Sequence, residues 1–119
     1  MTYQAYKVLH LLGVLMIFFA LGAQLLRAQI GEAAQSISKG AVGALHGVGL
    51  ILALVGGFGL IAKLGLGFPG WVWAKVAIWL FLAGVTAIIK RAAGLRAALW
   101  FALPILGMVA AYLAIYKPF

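Results

Sequence analysis

The chain has no cysteine, no aspartate and a single carboxylate side chain, Glu32, in 119 residues. Each absence removes a chemistry. Without thiols there are no disulfides, no thiolate metal sites, no Cys-x-x-Cys redox pair and no covalent attachment of a c-type haem. Without aspartate there is no Ser-His-Asp set, and one loop glutamate cannot supply both the acid and the base of a paired carboxylate mechanism. The glycine-rich stretches GVGLIL and GGFGLIAK are not phosphate-cradling loops, because no strand precedes them and both lie inside apolar runs. Charge of either sign is scarce, at 8% of residues against about 25% in soluble domains.

What the chain does have is apolar length. Hydrophobic residues make up 67% of it and the mean hydropathy is +1.21, more apolar surface than a water-soluble fold of this size can hide. Four runs, about 8–26, 41–62, 71–89 and 97–116, each approach the roughly 20 residues that a helix needs to cross a bilayer. Lipid offers no partner for backbone N–H and C=O groups, so each run should be helical. The connections between them are short, which makes consecutive helices antiparallel neighbours. The expected fold is therefore an all-α membrane protein, an antiparallel up-down bundle of four transmembrane helices forming one domain over residues 1–119. The first run reads as a retained anchor rather than a signal peptide, since its basic region is a single lysine and no Ala-x-Ala site follows it.

The net charge of +8 would point to nucleic acid in a soluble protein. Here the bases fall at span ends (Arg27, Lys39, Lys63, Lys90, Arg91, Arg96, Lys117), where they reach lipid phosphates. The expected partner is the bilayer, not nucleic acid. Counting bases by side gives five at one face and four at the other, and two of the four, Lys7 and Lys75, lie at or inside span ends. The positive-inside rule then puts both termini outside.

Only two histidines occur, and each stands in Leu-His-x-x-Gly with a base seventeen residues further on: His10 with Gly13 and Arg27, His46 with Gly49 and Lys63. Spans one and two run in opposite directions, so these histidines should lie towards opposite faces, on the order of 15–20 Å apart along the normal. They cannot share one iron within a monomer. Lys75 enters span three from the same side as His10 enters span one, at similar depth. On a 3.6-residue period His10, Gly13, Ile17, Ala20, Gln24 and Arg27 form one stripe, and Lys75, Trp79, Leu82 and Thr86 form another.

Ionisable residues inside spans are costly, which makes them candidates for function. Imidazole is a good iron ligand, and helix bundles hold haem through an inward histidine. His10 is the candidate axial ligand of a b-type haem just below one membrane surface. Gly13, one turn deeper, would leave room for the flat ring, and Trp79 would be an apolar neighbour. Lys75 offers a second axial ligand, a partner for propionates, or a lysine snorkelling to headgroups. His46 serves either packing or iron. Copper is a poor fit, because the two histidines are apart and the three methionines are scattered.

The stretch YKVLHLLGVLMIFFALGAQLLRA resembles the first span of small bacterial membrane proteins of the HemJ type, with its Lys-x-Leu-His and an arginine about one span later. GWVWAKVAIWLFLAGVTAIIKR is similar to their Gly-Trp-x-x-x-Lys opening of a later span, a pattern also like that of SirB and CopD-like membrane proteins. HemJ-type proteins are protoporphyrinogen oxidases of the bacterial inner membrane. The resemblance implies haem binding by His10 and Lys75, with Arg27 and Trp71 as motif companions. It covers about a third of the chain. Trp73 stands where that family carries a histidine, and Thr86 and Ala87 where it carries a Tyr-His pair.

Three readings follow, in this order. The first is a haem-binding membrane protein of tetrapyrrole or redox chemistry. The second is a non-catalytic packing subunit of a homo-oligomer or larger complex, supported by Gly43-x-x-x-Gly47 and by the aromatic set Trp71, Trp73, Trp100, Tyr112 and Tyr116. The third is a small transporter or channel, supported by the inverted echo of the two histidine motifs.

Overall fold

A computed structural model describes residues 2–31 and 38–119. It contains four long helices: α1 (Tyr3–Ile30), α2 (Lys39–Leu64), α3 (Gly70–Arg91) and α4 (Arg96–Tyr116), the last preceded by a 3-10 turn, Ala93–Leu95. All four are long and apolar enough to cross a membrane. The protein is an all-α integral membrane protein. Glu32 falls outside the described residues.

The helices outrun the apolar runs at both ends, because the interface also solvates helix termini. The Thr2 hydroxyl accepts from the Ala5 N–H, 3.1 Å, and the Ser38 hydroxyl from the Ala41 N–H, 3.1 Å. These side chains satisfy donors that the first turn leaves free. At the far end of α2, Gly65 takes φ 62°, ψ 33°, the left-handed conformation that glycine adopts without a Cβ penalty.

Pairs of touching residues fix the directions. Along α1 from Gly13 through His10 to Tyr6, the opposing residues on α2 run from Gly49 and Ala53 through Gly56 to Gly59, so α1 and α2 are antiparallel. His46 and Leu50 of α2 meet Leu82 and Trp79 of α3 in reverse order. Gln29 meets Trp100, and Phe18 meets Gly107, which sets α4 antiparallel to α1. The result is the expected up-down order.

The helices do not pack equally. α1 and α2 lie backbone to backbone, and glycine is the reason. A Cβ on Gly49 would stand 2.9 Å from the Gly13 carbonyl oxygen, and one on Gly56 would stand 2.6 Å from the His10 nitrogen. Small residues give helices in lipid the close contact that hydrophobic driving force supplies in water. The other neighbours stand further apart, and among the described residues no Cα of α2 comes within 8 Å of one in α4. The core (Ile17, Leu21, Leu25, Val85, Ile89) sits in the half of the bundle towards the α1 C-terminus.

Gly43 and Gly47, expected to mark a helix contact, have nothing within 4 Å of a built Cβ. The contact uses Gly49, Ala53 and Gly56 instead. Of the aromatic set, Trp73, Trp100, Tyr112 and Tyr116 are exposed. Trp71 is buried, with the Lys117 ammonium 5.5 Å from its ring centre.

Candidate functional site

One large cavity, about 650 Å³, occupies the end of the bundle that carries both termini, and all four helices line it. Its walls are apolar (Val14, Phe18, Ile61, Ile78, Trp79), and α4 faces it with Gly107, Ala110, Ala111 and Ala114. The size falls within the range of small-molecule and cofactor sites, about 300–1,000 Å³. The space arises where the glycine contact between α1 and α2 continues while the small face of α4 leaves room.

Polar groups are few and converge. His10 lines the cavity, and so do Lys7, Lys75 and Lys117. The sequence reading paired His10 with Lys75 at one depth, and both do border this space. Lys117, placed by sequence among headgroup-seeking bases, and Lys7, placed with Lys75 at or inside a span end, belong to the same wall. Three ammonium groups therefore edge an apolar chamber with no carboxylate among its lining residues.

His10 is held by α2. Its Nδ1 lies 2.7 Å from the Ala53 carbonyl oxygen. A carbonyl only accepts, so Nδ1 carries the proton and donates. The neutral ring then keeps its lone pair on Nε2, which has no hydrogen-bond partner among the described residues. A backbone acceptor that fixes the tautomer and frees the other nitrogen is the usual support of a metal-bound histidine. It is also what a packed membrane histidine needs to satisfy its N–H. Gly56 and Gly57 make the seating possible, since a Cβ at Gly57 would meet the imidazole at 3.3 Å.

Trp79 also lines the cavity, with its indole N–H donating to the Leu50 carbonyl at 3.0 Å. Gly13 stands elsewhere. It is buried against α2, and a Cβ there would collide with the Ala53 backbone nitrogen and lie 2.7 Å from the Gly49 oxygen. The room that its missing side chain makes is filled by the neighbouring helix, so Gly13 supports the His10 wall from behind and does not border the cavity.

His46 is remote from this site. His10 sits over Gly56, ten residues along α2 from His46 or roughly 15 Å at 1.5 Å per residue. The two histidines serve different ends of the bundle, as the helix directions required. His46 is buried and its Nε2 donates to the Leu82 carbonyl at 3.0 Å. With Trp79 it forms a reciprocal seam in which each of α2 and α3 sends one ring N–H to a carbonyl of the other. Sequence reasoning found both side chains but not their acceptors, because any residue carries a carbonyl.

No cluster of three or more His, Cys, Asp or Glu side chains able to hold a bare metal ion occurs among the described residues. No protein-family model, curated protein or solved structure matches the chain.

Proposed function

We propose that this protein binds a b-type haem in the cavity between its helices and acts in tetrapyrrole or membrane redox chemistry, in the manner of the HemJ-type proteins it resembles. The observation that carries the reading is His10: a tautomer set by the Ala53 carbonyl, with a free Nε2 on an apolar cavity. The donor set fits haem better than a naked ion. A porphyrin brings four nitrogens of its own and asks the protein for one or two axial ligands, whereas a naked ion needs a cluster. The lysine-edged mouth suits two propionates, and the aliphatic walls with Trp79 suit the ring. Lys75 is then the propionate partner or the second ligand. When bound, haem would supply one-electron chemistry at a defined potential. The chain's own part is to orient an imidazole, exclude water and neutralise two carboxylates. The proposal sets the protein in a bacterial inner membrane with both termini, and the cavity mouth, on the outer side.

An absorption spectrum of protein made with ample haem tests this. A Soret band is expected that His10→Ala abolishes, that added imidazole restores, and that His46→Ala leaves in place. A colourless wild-type protein, or a band indifferent to His10, would sink the reading.

Gly47, with nothing among the described residues within 4 Å of a built Cβ, favours a second, compatible role as a packing surface. Mass measurement in a mild detergent is expected to give a dimer or larger assembly that Gly47→Leu dissociates; a monomer throughout would remove this reading.

A further inference from the structure

At the opposite end of the bundle α1, α2 and α3 enclose a second recess of about 330 Å³, whose rim carries Arg27, Lys39 and Lys90. Gln24, His46 and Thr86 form its polar inner wall. We infer that this recess binds a phosphate-bearing anion.

Several independent features support this. Lys39 and Lys90 have no hydrogen-bond or ion-pair partner among the described residues. Lys39 is moreover the first residue of α2, whose first turn contains no acidic residue. A cation there stands at the positive end of the helix dipole, where an anion belongs. A local choice that runs against its own helix marks a place where something else decides the residue. Deeper in, the Thr86 hydroxyl donates to Gln24 Oε1 at 2.8 Å, and the Gln24 amide N–H groups, with no partner among the described residues, are available to an incoming oxygen. Gly43 borders the recess and opens it, since a side chain there would meet nothing within 4 Å. Five bases, Arg27, Lys39, Lys90, Arg91 and Arg96, belong to this end, so among the described residues it is strongly positive. Basic pockets between membrane helices are suited to anionic headgroups. The same chemistry would hold free phosphate, and the two sources separate by experiment.

Wild-type protein in mild detergent is offered phosphatidylglycerol or phosphatidylcholine and read by native mass spectrometry. In parallel, protein in phosphatidylcholine nanodiscs is titrated with inorganic phosphate by calorimetry. Phosphatidylglycerol should be retained in preference. The double variant Lys39→Gln/Lys90→Gln should weaken retention about thirtyfold, since each base near a membrane surface contributes about a factor of five. Lys63→Gln, at the other end, should not. Gly43→Leu fills the recess without changing charge and should also abolish retention, with the oligomeric state read in the same spectra. Phosphate binding in nanodiscs that the double variant loses assigns the site to a free anion. Silent calorimetry with selective lipid retention assigns it to a headgroup. Retention that ignores Lys39 and Lys90, or that survives Gly43→Leu, together with no phosphate binding, overturns the site.

Discussion

Gly56→Leu should drive α1 and α2 apart and destabilise the protein by about 3 kcal/mol or more, the upper part of the range for overpacking. The collision falls on backbone, because a Cβ at Gly56 meets the His10 nitrogen and Cα at 2.6 and 2.7 Å. A flexible side chain could swing aside, but a helix axis has to move as a whole. Movement at this level also lengthens the bond from His10 to Ala53, so the histidine loses its fixed tautomer along with its seat. Gly84→Leu is the matched control, since nothing lies within 4 Å of it. Unfolding by sodium dodecyl sulfate in mixed micelles measures both. Equal midpoints for the two variants would show that the α1–α2 contact is not the tight one.

Arg96→Ala should cost about 1.5–3 kcal/mol and free the start of α4, the range being that of hydrogen bonds to a charged group. Its guanidinium donates to the carbonyls of Ile89 at 2.7 Å, Lys90 at 3.3 Å and Ala28 at 3.3 Å. Those carbonyls belong to the last turns of α3 and α1, which have no intrahelical donors of their own and hold the negative end of each dipole. One cation therefore ties three helices together. Arg96→Lys should recover only part of the loss, because an ammonium cannot spread its donors as the planar fork does. Hydrogen exchange in the first turn of α4 should rise in Arg96→Ala, while the midpoint of α1 stays protected. Unchanged exchange and stability would reduce Arg96 to an ordinary headgroup contact.

Arg96 also shows where the sequence is legible and where it is not. Its position at a span end is plain from hydropathy, and so are the four helices, because a bilayer demands one apolar length and one backbone solution. The antiparallel order put His10 level with Lys75 and apart from His46; His10 and Lys75 border one cavity, and His46 lies ten residues along α2 from the Gly56 that His10 covers. Partners are harder to read. A carbonyl is present at every residue, so Ala53, Leu82, Leu50 and Ile89 left no mark as acceptors. Helical periodicity put Gly13 on the His10 stripe but could not say which neighbour that stripe faced, and α2 took the space assigned to a ligand. Gly43 and Gly47 matched a spacing that meets no neighbour within 4 Å among the described residues. Sequence periodicity defines a face, whereas the residue across from it is set by packing.

The large cavity is not sealed from the side. Leu11 of α1 and Ile115 of α4 border it and keep 51% and 72% of their surfaces exposed. A flat apolar guest would not have to arrive through water at all. It could dissolve in the bilayer, diffuse in two dimensions and slip between α1 and α4, its charged end staying at headgroup level throughout. The quantity that governs occupancy is then the guest's mole fraction in lipid. Diluting the membrane with more lipid would empty the protein even though the aqueous concentration never changed.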